Sequence, residues 1–461
     1  MGLTLGLQYS HVTEGDVTRC VPKTRFRPLP ATHRKSSGTL IFETMAYPMD
    51  CWRNRKTSPE SVYWWCDGQF VPNDDCSLFI AGGAFNPRTT HAWISILHAR
   101  AGRVIKLDMS GDIIGGEHLT DTSMANFPKL QMHPSGHYFS YIGPESVMIE
   151  TTDHEPVYSR CKDLRMCNHK FCAFSPNGKY IAIIQTHSRH IELVLSRLDK
   201  GSTAYDTGVT LSALLKDFRS QAYNEHIECK WSPDSEYILI CSNIDFMFVL
   251  NKQLELVVNI TRDILPDDAF PSWAGSFDYD PRYLHDMAAV GCKNRCVYFV
   301  NIGLKEVIRK SATLGQDSID CLTYHPQGLA IAVACRDFNI FILDSENAEL
   351  VFQIDMKFTL QELTHKFASF PSVMRVEYNT VGEQLAVSTS DGRVRMWQLP
   401  VQISLFDQCK WTILAHVPAA SVEKLPLPRQ IVLKLLNFPT LSGSGKTDYS
   451  DINSIECTVN S

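Results

Sequence analysis

The sequence lacks the features of a membrane protein and of a secreted protein. No stretch approaches the roughly 18 uninterrupted apolar residues that cross a bilayer. The first residues, Met1–Gly6, have neither a basic segment nor a long apolar core, so no secretory signal is expected. The 15 cysteines follow no repeating spacing, which argues against a disulfide framework. We therefore expect a protein of the cytoplasm or the nucleus, with reduced cysteines.

An excess of positive charge is missing as well. The chain has 461 residues and a formal net charge of −6, so it has no overall basic field that would recruit nucleic acid. Four residues could be read as zinc ligands, but their spacing fits no common finger: Cys161, Cys167, His169 and Cys172. No catalytic constellation is recognisable. We predict a non-catalytic protein without catalytic residues, metal or cofactor, whose partners include neither nucleic acid nor a membrane.

What is present is a divergent repeat. Seven segments share one layout: an aromatic or apolar lead, a turn, a short apolar strand, a polar turn and a further strand. Their first turns are Val71–Asp74, His133–His137, Ser175–Gly178, Ser232–Ser235, Asp280–Tyr283, His325–Gly328 and Val381–Glu383. These turns are spaced roughly 42 to 62 residues apart, near the period of about 40–45 residues of a WD40 blade with insertions added.

The resemblance to WD40 repeats covers roughly residues 60 to 400 and is strongest at Asp391–Trp397, where a DGxVxxW ending is intact. It implies an all-β fold: a seven-bladed WD40-like β-propeller over residues 61–400, followed by a small C-terminal α-helical module. A pair of β-sandwiches is the alternative, which seven similarly built units disfavour. Residues 1–60 are expected to be a partly flexible N-terminal segment, whose strand Thr39–Phe42 could close the ring.

Two insertions between the predicted strands have apolar residues at helical spacing. They are Leu211–Ala222 and Thr359–Phe367. The spacing of three and four residues predicts that both form helices, in loops that cross an edge of the propeller.

After Trp397 the pattern changes from strand to helix. Ser404 is a candidate N-cap, and Leu405, Cys409 and Ile413 follow at intervals of four, so they share one face of a helix of about three turns. A proline-rich segment, Leu425–Pro428, then precedes a second predicted helix that continues through Leu435 and Phe438.

This C-terminal region, residues 403–439, resembles a SOCS box, and residues 440–461 are expected to be a disordered tail. The resemblance implies that elongin C binds Ser404, Leu405, Cys409 and Ile413. It implies that a cullin of the cullin-5 type binds Leu425, Pro426, Leu427, Pro428 and Ile431. Lys434 departs from the family pattern, which commonly has an aromatic residue there.

Together the two resemblances predict the substrate-recognition subunit of an elongin B/C–cullin-5 RING ubiquitin ligase. The propeller would hold an unknown protein substrate, and no substrate-binding residue can be assigned from the sequence. One alternative is a non-ligase WD40 scaffold whose C-terminal helices brace the propeller. A receptor of the cullin-4 type is disfavoured, because its Trp-Asp-x-Arg motif is absent where Gln398, Leu399 and Pro400 follow Trp397.

Overall fold

The computed structural model describes most of the region predicted to be a propeller. The described residues are 18–19, 39–45, 63–72, 74–86, 91–100, 103–114, 129–142, 147–152, 168–186, 190–198, 207–217, 227–242, 246–272, 275–356, 371–399 and 426–427. Within these ranges, no helix is both long enough and apolar enough to cross a membrane.

Strands dominate the first half of the chain. They are β1 (Thr18–Arg19), β2 (Thr39–Met45), β3 (Tyr63–Val71), β4 (Asp74–Asn86), β5 (His91–Arg100), β6 (Arg103–Ile114), β7 (Leu130–Met132), β8 (Tyr138–Ile142), β9 (Val147–Thr151), β10 (Asn168–Phe174), β11 (Tyr180–Thr186), β12 (His190–Leu198) and β13 (Thr207–Asp217).

The second half continues in the same way, with a four-residue helix after the fourth strand. The elements are β14 (Ile227–Trp231), β15 (Tyr237–Ser242), β16 (Met247–Asn251), β17 (Leu256–Asn259), α1 (Ile260–Asp263), β18 (Phe277–Tyr279), β19 (Met287–Gly291), β20 (Val297–Asn301), β21 (Glu306–Lys310), β22 (Ile319–Tyr324), β23 (Ala330–Cys335), β24 (Asn339–Asp344), β25 (Leu350–Asp355), β26 (Val373–Tyr378), β27 (Gln384–Thr389) and β28 (Arg393–Gln398).

These strands form antiparallel sheets, most of which consist of strands that are consecutive in the sequence. Five sheets have four consecutive strands each: β3–β6, β10–β13, β14–β17, β18–β21 and β22–β25. A sheet of three described strands is formed by β7–β9, and one of five strands has the order β1-β2-β28-β27-β26. Five sheets therefore have the four strands of a complete blade, where the sequence predicted seven such blades.

The first strands of the sheets form a closed ring. β3, β7, β10, β14, β18, β22 and β26 contact one another in this order, and β26 contacts β3 again. The apolar core is divided in the same way, because each buried cluster lies between two neighbouring sheets. Sheets buried on both faces explain why the inner strands are almost continuously apolar. The all-β propeller architecture is confirmed.

The N-terminal strand joins the last sheet. β2 pairs antiparallel with β28, with Leu40 opposite Trp397. This sheet therefore combines strands from both ends of the described chain, so that β2 lies outside the three strands β26–β28.

The predicted turn positions are confirmed, and local hydrogen bonds explain them. Each turn lies between the first and second strands of its sheet. In the turn Ser175–Gly178, the Gly178 amide donates to the Ser175 carbonyl at 2.8 Å, and Gly178 has a φ of +67°. The Ser175 hydroxyl accepts the Tyr180 amide at 3.0 Å and donates to Asn177 Oδ1 at 2.8 Å. Residues that favour such turns therefore stand where the chain reverses.

Neighbouring turns also contact one another along one edge of the ring, which we call the turn rim. His133 Nε2 lies 3.1 Å from the carbonyl oxygen of Gly178, and the Asn177 amide donates to Ser235 Oγ at 3.0 Å. A Cβ atom added to Gly382 would lie 1.7 Å from His325 Nε2. The glycines of the turn rim are therefore required both for their backbone conformation and for close approach.

Aspartates join the first strands of neighbouring sheets. Asp67 Oδ2 accepts the Leu130 amide at 2.8 Å, Asp278 Oδ2 accepts the Tyr324 amide at 2.8 Å, and Asp320 Oδ2 accepts the Val373 amide at 3.1 Å. In each case a carboxylate on one sheet accepts the backbone amide of the next sheet. Such charge-assisted bonds satisfy amides that sheet pairing leaves open.

The Asp320 bond gives a pH-dependent prediction. Burial raises the pKa of Asp320 to about 6, although Arg336 Nε lies 3.2 Å away and favours the charged form. Because an unfolded aspartate has a pKa of about 3.9, the folded state binds this proton more tightly. The stability that Asp320 contributes therefore falls as the pH rises from about 4 to about 6.

We expect Asp320→Asn to remove this dependence, since an amide does not titrate and its oxygen can still accept from Val373. As the pH rises through this window, the free energy of unfolding of the wild type should fall by about 2–3 kcal/mol relative to that of the variant. Urea denaturation at pH values through the window measures the difference. A constant difference would contradict the assignment.

The helix predicted at Leu211–Ala222 is wrong for the described residues. Residues up to Asp217 belong to β13, which pairs with β12 through Leu211 opposite Leu195 and Ala213 opposite Leu193. The open edge of β12 needs hydrogen-bond partners that a helix cannot supply, so strand pairing overrides the local spacing. The remainder of this segment, and the helix predicted at Thr359–Phe367, lie outside the described residues.

The predicted C-terminal helices do not appear among the described residues. Of segment 403–439, only Pro426 and Leu427 are described, and both lie in a bend. The remaining predicted elongin and cullin contacts lie outside the described residues: Ser404, Leu405, Cys409, Ile413, Leu425, Pro428 and Ile431.

Candidate functional site

The ring of first strands encloses a cavity of about 350 Å³. It reaches the turn rim, where Pro176 and Pro326 line it and are exposed. Side chains alternate along a strand, so every second residue of each first strand points into the cavity. In the last sheet the equivalent turn is counted from Asn379, whose carbonyl accepts the Gly382 amide as the Ser175 carbonyl accepts the Gly178 amide. The residues two and four positions before each turn therefore form two stacked layers around the cavity, which we call the channel.

We call the layer nearer the turns the rim layer and the next one the deep layer. The rim layer consists of Gln69, Gln131, Ala173, Lys230, Asp278, Thr323 and Glu377, all of which line the cavity. The deep layer consists of Asp67, Lys129, Phe171, Glu228, Ser276, Cys321 and Arg375, of which all but Asp67 and Ser276 line it.

Two ion pairs hold the deep layer together. Lys129 Nζ lies 2.6 Å from Glu228 Oε1, which links the second sheet to the fourth across the channel. Arg375 Nη1 lies 3.2 Å from Asp67 Oδ2 and donates to the Leu130 carbonyl at 3.1 Å. The first pair joins the segment before β7 to β14, and the second joins β26 to β3. Because both pairs link different sheets, the deep layer has a structural role.

The Lys129–Glu228 pair shifts both pKa values toward the charged forms. Burial alone would lower the pKa of Lys129, but the adjacent Glu228 carboxylate holds it above its ordinary value. Burial alone would raise the pKa of Glu228, but the Lys129 ammonium holds it below its ordinary value. Both groups are therefore charged near neutral pH.

The rim layer is also polar and charged, but one carboxylate in it is less well compensated. Lys230 Nζ lies 3.1 Å from Asp278 Oδ1, and Thr323 Oγ1 donates to Asp278 Oδ2 at 3.1 Å. Glu377 Oε2 lies 3.1 Å from Arg375 Nε, the same guanidinium that Asp67 uses. Burial raises the pKa of Glu377 to about 7, and the charge of Asp67 acts in the same direction. The rim layer can thus bind polar or charged groups.

The sequence alone did not identify this channel, although a signal for it exists. Charged residues alternate with buried apolar residues in the first strands, as in Glu228, Cys229, Lys230 and Trp231. The alternation predicts one polar face on each strand, but it does not show that seven such faces converge.

The cysteines considered as zinc ligands give no metal site in the described part of the chain. Cys172 is buried, and its Sγ atom lies 3.4 Å from Ser140 Oγ. Burial raises the pKa of this thiol to about 12. A thiol in this state is a poor metal ligand. Cys161 and Cys167 lie outside the described residues.

A comparison with known protein families gives a match. A family model described as the anaphase-promoting complex subunit 4 WD40 domain matches residues 284–368. The matched segment contains β19–β25 and therefore most of two four-stranded sheets. No curated protein sequence matches the chain.

The match and the ring of sheets together support a WD40-repeat β-propeller. Such propellers are typically non-catalytic and act in protein interaction or substrate recognition. Among the described residues, the channel and the adjoining turn rim offer polar and charged groups for such recognition.

Proposed function

We propose that this chain is the substrate-recognition subunit of an elongin B/C–cullin-5 RING ubiquitin ligase. The observation that carries the proposal is the order of two motifs after the last propeller strand. β28 ends at Gln398, the elongin motif begins at Ser404, and the cullin motif begins at Leu425. This order suits a receptor, because the last described propeller strand precedes the recruiting segment.

We also infer that all seven sheets are blades of one propeller. The closed order of the first strands and the apolar cluster at each sheet boundary support this count. Under this inference the sheet β7–β9 is a blade with three described strands, and β2 completes the last blade.

The elongin motif would bind as a helix in a groove. Leu405, Cys409 and Ile413 stand four residues apart and would present one apolar stripe to elongin C, with Ser404 capping the helix. Leu405 is the anchor of the interface. Cys409 contributes a small side chain that allows close approach, and it needs no chemical reactivity.

The cullin motif would act through its rigidity. Pro426 and Pro428 fix the backbone, so that Leu425 and Leu427 lose little conformational entropy on binding. Ile431 would extend the same contact to cullin-5. Pro426 is exposed, and Leu427 is partly buried.

In this proposal the partners are elongin C, elongin B, cullin-5 with its RING partner, and a protein substrate held by the propeller. The chain does no chemistry; its contribution is proximity between the substrate and the charged conjugating enzyme. We propose that it acts in the cytoplasm or the nucleus.

A non-ligase scaffold, with the C-terminal segment bracing the propeller, is the competing interpretation. A cullin-4 receptor has less support, because Gln398, Leu399 and Pro400 follow Trp397 where that class has Asp-x-Arg.

Replacing Leu425, Pro426, Leu427 and Pro428 together by Ala tests the proposal. We expect the full chain to retain elongin B/C and to lose cullin-5 in an affinity capture from reconstituted components. Pro439→Ala, outside both motifs, is the matched control and should retain both partners. Unchanged cullin-5 capture, or the absence of both partners from the wild type, would contradict the proposal.

A further inference from the structure

The channel charges are unequal in number. Among the described residues of the two layers, three cations, Lys129, Lys230 and Arg375, stand against four carboxylates, Asp67, Glu228, Asp278 and Glu377. Asp67 is counted because it pairs with Arg375, although it does not line the cavity itself. The extra negative charge belongs to the rim layer, because the deep layer contains two cations and two carboxylates.

The geometry places this extra charge at Glu377. Lys129 is paired with Glu228 at 2.6 Å, and Lys230 with Asp278 at 3.1 Å. Arg375 is shared, since its guanidinium contacts Asp67 as well as Glu377. Asp67 is 2% exposed and also accepts the Leu130 amide. Of the two carboxylates that share Arg375, Asp67 is therefore held more firmly in place than Glu377.

The space beside Glu377 is large enough for a side chain from another molecule. The cavity of about 350 Å³ falls within the range of small ligand pockets. It extends from the rim layer to the exposed prolines of the turn rim, and the Gln69 and Gln131 side chains add amide groups to its wall. An extended cationic side chain entering from the turn rim would meet Glu377 in the outer of the two layers.

We propose that the rim layer binds a Lys or Arg side chain of a protein partner, with Glu377 as its counter-ion. This inference rests on the proposed function only in taking the partner to be a protein held by the propeller. A bound cation would make the numbers of positive and negative charges in the channel equal. An ion pair inside the channel is stronger than one on the exposed surface, because less water screens its two charges. A neutral side chain would leave the excess negative charge in place, and an acidic one would increase it.

The first test uses capped pentapeptides of sequence Gly-Ser-Arg-Ser-Gly, with Lys or citrulline replacing Arg in two further peptides. Citrulline keeps the shape of arginine without its charge. Dissociation constants for the full chain are measured by saturation-transfer NMR titration. We expect the better of the two cationic peptides to bind at least about tenfold more tightly than the citrulline peptide. Equal binding of all three would overturn the proposal.

The second test uses Glu377→Gln, which removes the charge and keeps the shape. We expect it to weaken binding of the cationic peptide about tenfold, whereas Glu306→Gln, on the exposed strand β21, should leave binding unchanged. Equal thermal melting of the three proteins shows that folding is not the cause. Unchanged binding to Glu377→Gln would contradict the role of this carboxylate.

A third readout is the pH dependence of binding. Glu377 lies beside Arg375 on its own strand, β26, and near Asp67 on the adjacent first strand, β3. Lys230 on β14 and Asp278 on β18 line the same cavity on first strands that do not neighbour β26. Because its pKa is about 7 without a ligand, binding of the cationic peptide should strengthen from about pH 6 to about pH 8 in the wild type and not in Glu377→Gln. Elongin capture is scored separately, so failure here is distinguishable from failure of the ligase proposal.

Discussion

Replacing Leu405 by Ser together with Cys409 by Phe is expected to abolish capture of elongin B/C by the full chain. Loss of a buried leucine anchor costs about 2–3 kcal/mol at a protein interface. Phenylalanine at position 409 adds a steric clash where the proposed helix approaches its partner closely. Together these changes should weaken binding at least about a hundredfold, as measured by titration of purified elongin B/C.

Gln408→Ala is the matched control for this experiment. Gln408 lies between the two motif positions but belongs to neither, so its replacement should leave elongin binding near the wild-type value. If the double variant bound elongin B/C as tightly as Gln408→Ala does, the assignment of Leu405 and Cys409 would be wrong.

Gly382→Ala is expected to destabilise the described propeller strongly. Gly382 has a φ of +79°, and an added Cβ would lie 1.7 Å from His325 Nε2 and 2.4 Å from two ring carbons. His325 is 2% exposed and packs edge-on against Tyr378, so it has little room to move. Left-handed strain and overpacking together should cost about 3 kcal/mol or more in the free energy of unfolding.

Two further variants separate these causes. Gly275→Ala is the control, because its Cβ would meet its nearest atoms at 3.4 Å, an ordinary contact. Adding His325→Ala to Gly382→Ala should recover the steric part and leave the backbone part, as a double-mutant cycle by chemical denaturation would show. A cost for Gly382→Ala no greater than for Gly275→Ala would contradict the close contact between these turns.

The turns were predictable because their causes are local. In Ser175–Gly178 the serine, proline, asparagine and glycine each supply a hydrogen bond or a backbone angle within a few residues. The same pattern at Ser232–Ser235 allowed the repeat, and with it the propeller fold, to be inferred from the residues alone.

The features that were mispredicted or missed depend on distant parts of the chain. Leu211 and Ala213 have neighbours at helical spacing, yet they form a strand because β12 offers an edge to pair with. The pair Lys129–Glu228 joins residues 99 positions apart, and nothing near either residue specifies the other. The charges of the channel therefore could not be predicted from the sequence, because only the closed ring shows which side chains meet in it.

We propose that residues 404–431 join this propeller to a ubiquitin ligase. Native mass spectrometry of the full chain, purified after co-expression with elongin B and elongin C, tests it most directly. A complex that contains one copy of each protein, lost on combining Leu405→Ser with Cys409→Phe, is the predicted result. A chain that emerges without either elongin would contradict the account.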